Sequence, residues 1–144
     1  MRRRQTMVVL ALAGLLVATY LWLYKIGVIG VLQCGTGGCE AVQASRYAEL
    51  LGVPVAFVGV AGYAALLGVG LVGVQPAFAA DRRVTLLLAA LATVGFAFAL
   101  YLTAIELFVL HAMCRWCVVS AAIITAIWVL ALDGLRHAPA APNR

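Results

Sequence analysis

Long apolar runs dominate the chain. Met7 to Val31 is broken only by Lys25. Val53 to Val74 carries no charge, Val84 to Leu110 only Glu106, and Met113 to Leu132 only Arg115. None alternates apolar and polar residues with the period of two that a membrane barrel strand needs. A helix crossing hydrocarbon takes about 20 residues at about 1.5 Å each, and each run is long enough. The pattern predicts an all-α membrane protein, a bundle of four membrane-spanning helices over residues 7–132. The breaks between runs are a loop at 32–52, a loop at 75–83 and a tight turn near His111. In the first loop, Glu40 to Leu51 reads as a short surface helix with Val42, Leu50 and Leu51 turned to lipid or protein. Gly52 and Pro54 end it and start the second span. Residues 1–6 precede the bundle, and 133–144, with Pro139 and Pro142, are expected to be a disordered tail.

Composition agrees with burial in lipid rather than in a soluble core. Hydrophobic residues make up 66% of the chain and charged residues 10%, against about 25% charged in an average soluble domain. Arg2, Arg3 and Arg4 before the first run resemble a signal-peptide start. The run is too long for a signal core and no small-x-small site clearly ends it, so it reads as an uncleaved span. The net charge of +5 does not point to nucleic acid, because its distribution follows topology. If the spans alternate, Arg2, Arg3, Arg4, Arg82, Arg83, Arg136 and Arg144 share one side. Only Arg46 and Arg115 lie on the other, with Lys25 near the edge of the first span. The positive-inside rule then places both termini in the cytoplasm.

That topology brings the cysteines to one face. Cys34 and Cys39 lie in the Gly-rich outer loop, and Cys114 and Cys117 form a C-x-x-C where the last span begins. All four meet an oxidising compartment. Residues i and i+3 share a helix face, so Cys114 and Cys117 are close enough to bridge. The positive end of the helix dipole, together with Arg115, favours a thiolate there. Gly35, Gly37 and Gly38 allow a tight turn between Cys34 and Cys39. Two facing dithiols suggest an electron relay from protein thiols into something dissolved in the lipid. Two structural disulfides, as in a stapled scaffold subunit, form a second reading. A thiol-based metal transporter, for instance for mercury, is a third, although the second and third spans carry no cysteine. A four-cysteine zinc site is disfavoured by the oxidising compartment, and haem attachment fails because Val118 follows Cys117.

Other residues carry weaker signals. Glu106 is the one acid well inside a span. It either relays protons or bonds a neighbour such as Thr103. Lys25 reads as snorkelling to the interface and His111 as a solvated turn residue. Tyr20, Trp22, Tyr24 and Trp116 fit an interfacial aromatic belt, and Trp116 is also placed to wall a ring pocket. Gly59, Gly62, Gly68 and Gly70 allow close helix approach.

These residues together resemble a known family. Cys34-x4-Cys39, Val42, Ser45, Tyr47, Gly52-x-Pro54, Gly59 and Tyr63 look like the first half of a vitamin K epoxide reductase homologue. Tyr101-Leu102, Glu106 and Cys114-Arg115-Trp116-Cys117 look like the second half. The order of the two pairs is the reverse of that in the unrelated four-span disulfide-bond-forming protein B. The resemblance implies a multi-pass protein of the bacterial cytoplasmic membrane with its cysteines on the outer face. It implies that Cys34 and Cys39 exchange with a separate, exported thioredoxin-like protein, that Cys39 passes electrons to Cys114, and that Cys117 reduces a membrane quinone, ubiquinone or menaquinone. Ser45 corresponds to the family's loop Ser/Thr near the quinone, with Trp116 and Glu106 in support. Vertebrate members carry a Tyr four residues after the C-x-x-C where this chain has Ala121, so epoxide reduction is not implied. Because some bacterial members carry a fused thioredoxin-like domain and this chain does not, the partner is expected to be another protein. No resident metal is expected.

Overall fold

The computed structural model describes residues 2–28, 30, 44–46, 49–112 and 114–137. Helix α1 spans Arg2–Lys25, α2 Val55–Gly73, α3 Arg82–Ile105 and α4 Arg115–His137. A π-helical turn, Glu106–Leu110, extends α3. A minimal hairpin, β1 Glu49–Leu50 with β2 Val53–Pro54, precedes α2. All four helices are long and apolar enough to cross a membrane. Val9, Leu16, Val94 and Phe108 are more than three-fifths exposed, as expected of side chains that face lipid rather than water.

The helices form a ring in chain order, with α1 between α2 and α4, and α3 closing against α4 and α2. The buried stripe of α1 is Met7, Ala11, Gly14, Ala18 and Leu21. Its alternating steps of four and three residues keep one seam facing its neighbours. Small residues on that stripe let α1 and α2 approach closely, as membrane helices do where packing drives association. Gly14 shows the need for them. The Tyr63 ring of α2 fills the space a Cβ on residue 14 would occupy. The α2–α3 seam is the loosest of the four.

Helix ends depart from the apolar runs for local reasons. The first run continues to Val31, but α1 stops at Lys25. Gly27 takes φ +87°, Gly27 N–H bonds Tyr24 O, and Val28 N–H bonds Leu23 O, which caps the helix end with a Schellman motif. The end of the expected Glu40–Leu51 surface helix is instead extended. Glu49 pairs with Pro54 and Leu50 with Val53, and the two residues between, Leu51 and Gly52, both have positive φ, as a tight hairpin turn demands. Of the rest of that helix only residues 44–46 are described. Pro54 does cap α2. At the other limit, α4 runs beyond the expected end at Leu132 through His137. Asp133 there pairs with Arg3 of α1 at 2.7 Å and with His137 at 3.3 Å. Lys25 has Glu49 of the hairpin at 3.6 Å.

Arg4 ties the opposite end together. Its guanidinium donates to Gly73 O at 2.7 Å, Phe78 O at 2.8 Å, Asp81 O at 3.3 Å and Thr85 Oγ1 at 2.8 Å. It thus bridges the last turn of α2, the connecting loop and the start of α3, where Asp81 Oδ1 caps Arg83 N–H at 2.8 Å. Charged-group hydrogen bonds of this kind contribute about 1.5–3 kcal/mol each, before the screening that partial exposure brings. Arg4→Ala is expected to lower stability by about 2 kcal/mol, read as thermal unfolding of the purified protein in lipid nanodiscs. Arg4→Lys should recover less than half of that, because an ammonium lacks the planar fork that reaches several carbonyls at once.

Candidate active site

The C-x-x-C is positioned by the reversal between α3 and α4. The π-helical turn widens the end of α3, and His111 then enters the left-handed region at φ 50°. The N–H groups of His111 and Ala112 both bond Glu106 O. The Glu106 side chain acts on the other limb, its Oε2 accepting from Cys114 N–H at 3.3 Å. Glu106 is 4% exposed, the one charged-type residue in the described core. Of the two roles open to it from sequence, the contacts involve the cysteine segment rather than Thr103. Its carboxyl also hydrogen-bonds the Cys117 side chain.

Cys114 directly precedes α4 and serves as its N-cap. Its carbonyl accepts from Val118 N–H at 2.9 Å, and its Sγ accepts from Cys117 N–H at 3.4 Å. The sulfur takes the place that a Ser or Asp oxygen holds in an ordinary cap. Cys114 is fully buried, and neither thiol is bridged. The Cys117 side chain donates to the Cys114 sulfur and, with the Cys117 backbone N–H, holds the Cys114 thiol below its usual range, against the opposing effects of burial and of the Glu106 charge. A lower pKa raises the thiolate fraction, the species that attacks in disulfide exchange, and makes the sulfur a better leaving group.

Beneath the pair lies a cavity of about 380 Å³, within the roughly 300–1,000 Å³ typical of small-molecule sites. Glu106 and Cys117 line one end, Tyr63, Thr103 and Ser120 the middle, and Leu66, Leu91 and Ile124 the depth. Gly62 of α2 and Val94 of α3 line it and are also exposed, so it opens sideways through the loose α2–α3 seam. Ala121 is in the wall, and its small side chain leaves space.

The sequence-derived residues are only partly brought together. Cys117 and Glu106 share the cavity, and Cys114 adjoins both. Trp116 is not in the lining. It packs on Tyr20 of α1 with ring centroids 5.2 Å apart, over the cluster around Leu21, Ala56 and Cys114. Ser45 is half-buried and also outside the lining. Cys34, Cys39 and Tyr47 lie outside the described residues. Sequence reasoning passed over Ser120, although it stands one turn from Cys117 on the same face. Tyr63 donates to Ser120 O at 2.8 Å and lies 2.9 Å from Ser120 Oγ.

A dithiol capping a membrane helix beside a laterally open cavity defines a multi-pass membrane protein equipped for thiol redox chemistry. The model of the vitamin K epoxide reductase family matches residues 5–132, most of the chain. The chain belongs to that family, membrane-embedded oxidoreductases of thiol–disulfide chemistry that in general work with quinones and thioredoxin-like partners.

The cap geometry has a measurable consequence. In the reduced protein, thiolate absorbance should rise at a lower pH than for a free cysteine, because Cys114 ionises early. Cys117→Ala removes the donor and should move that rise to higher pH. A titration that stays in place would count against the Cys117 contact as the cause.

Proposed function

We propose that this protein is a membrane thiol:quinone oxidoreductase that reoxidises an exported thioredoxin-like protein and so supports disulfide formation in secreted proteins. Both termini lie in the cytoplasm and the cysteines face outward, as the distribution of arginines favours. The partner's dithiol reduces a Cys34–Cys39 disulfide. Cys39 then attacks a Cys114–Cys117 disulfide at Cys114 and releases Cys117 as a thiol. Cys34 attacks Cys39 in the mixed disulfide, which frees the Cys114 thiol and restores the Cys34–Cys39 disulfide. In the last step the Cys114 and Cys117 thiols give two electrons and two protons to a quinone, ubiquinone or menaquinone, leaving a disulfide and a hydroquinone. Glu106 relays a proton in that step.

The observation that supports this reading most is the division of labour within the C-x-x-C. Cys117 and Glu106 stand in the wall of a cavity open toward lipid, whereas Cys114 is buried at the helix cap beneath Tyr20 and Trp116. A staple in a scaffold subunit needs no such cavity. Trp116 and Ser45 act in support, Trp116 by holding the cap against α1.

Quinone reduction by the purified chain, followed by quinone absorbance, tests the reading. Turnover is expected to vanish in Cys117→Ala with any donor, including a small dithiol. Cys34→Ala is expected to lose turnover only with the protein donor. A folded wild type that reduces no quinone with any dithiol would end the proposal. Glu106→Gln keeps an acceptor for Cys114 N–H but carries no exchangeable carboxyl proton. It is expected to slow quinone reduction by about a hundredfold, the usual scale of general acid–base help, while thermal unfolding stays close to wild type.

A further inference from the structure

One pair of side chains in the cavity is not accounted for by the thiol chemistry. Tyr63 is 5% exposed, its ring seated against Gly14. Its hydroxyl donates to Ser120 O at 2.8 Å and meets Ser120 Oγ at 2.9 Å. A tyrosine buried among membrane helices needs a partner for its O–H, but one acceptor would suffice. Here two hydroxyl groups meet. Each has one proton and two acceptor sites, and Ser120 O already belongs to a residue within the α4 ladder. One hydroxyl proton can therefore turn into the cavity without orphaning a buried group.

Its position is specific. Ser120 follows Cys117 by three residues, on the same face and about 4.5 Å further along the axis. The Cys117–Glu106 end and the Tyr63–Ser120 pair thus mark two polar points in a wall that is otherwise mainly apolar. A para-quinone is an apolar ring with two carbonyl oxygens on opposite edges, and its reduction places negative charge on both.

Resting on the quinone reading above, we propose that the Ser120 hydroxyl donates a hydrogen bond to the quinone carbonyl remote from Cys117, and that Tyr63 is the positioning residue that holds it there. The ring then lies along α4 between Cys117 and Ser120, next to the small wall residue Ala121. The donor stabilises charge as it develops on the remote oxygen, the kind of preorganised contact that acts chiefly in the transition state.

The test uses the full chain in lipid nanodiscs with a small dithiol as donor, so that neither the loop pair nor a protein partner is involved. Ser120→Ala is expected to lower kcat/KM for a soluble para-quinone at least tenfold, and Ser120→Thr, which keeps the hydroxyl, to recover most of it. Tyr63→Phe should give a smaller loss. Oxidation of the Cys114–Cys117 dithiol by a small disulfide, which needs no carbonyl donor, should proceed at the wild-type rate in all three. Wild-type quinone kinetics in Ser120→Ala would overturn the inference. So would an equal loss with the small disulfide, which marks a structural role, or a loss that appears in Thr103→Val instead. A wild type inactive toward every quinone would remove the underlying reading and this inference with it. Active wild type with indifferent Ser120→Ala would remove only the inference.

Discussion

The contact between Glu106 and the Cys114 backbone N–H holds the site together. It spans the chain reversal between α3 and α4, whose register is also held further along by the Phe96–Trp128 stack and the Trp128–Thr93 hydrogen bond. The Glu106 carbonyl gathers the N–H groups of His111 and Ala112 on one limb, and its carboxyl reaches the other. A buried N–H without a partner is costly, and Cys114 is fully buried, so the carboxyl contact removes a penalty that solvent could not. One residue accepts from three donors and sets Cys114 at the helix cap.

The cavity follows from how closeness is distributed around the ring. Small residues on α1 and α2 draw those helices together, with Tyr63 inserted over Gly14. The α2–α3 contact is left loose. Volume therefore collects on that side, beneath the cysteine cap. At the far end Arg4 holds α2, the loop and α3 to α1, so the seam is loose without the helices parting.

The four spans were legible because apolar length is a one-dimensional signal. Their ends were not. Gly27 stops α1 inside an apolar run, and Asp133 lengthens α4 through a partner in the first turn of the chain. The π-helical turn leaves no mark in hydrophobicity at all. In the site, spacing singled out the C-x-x-C and isolation singled out Glu106, and the bundle brings Cys117 and Glu106 into one cavity. Adjacency misplaced Trp116 as a pocket wall. One residue before Cys117 means about 100° around the helix, and the indole meets Tyr20 instead. The Tyr63–Ser120 pair joins two helices that are distant in sequence, so only the assembled bundle discloses it.

The sulfur cap also bears on reduction potential. In the dithiol state Cys114 Sγ accepts the Cys117 N–H and closes the first turn of α4. A bridge to Cys117 uses up the charge that makes sulfur a good acceptor, so part of the helix's N-terminal stability belongs to the reduced form alone. Whatever stabilises the reduced form raises the potential of the couple, about 30 mV for each tenfold in the equilibrium. The helix start thus makes the pair a stronger electron acceptor from thiols and, by the same amount, a weaker donor to whatever occupies the cavity. Sulfur is a weaker acceptor than the oxygens of ordinary helix caps, so this bias on the couple is small.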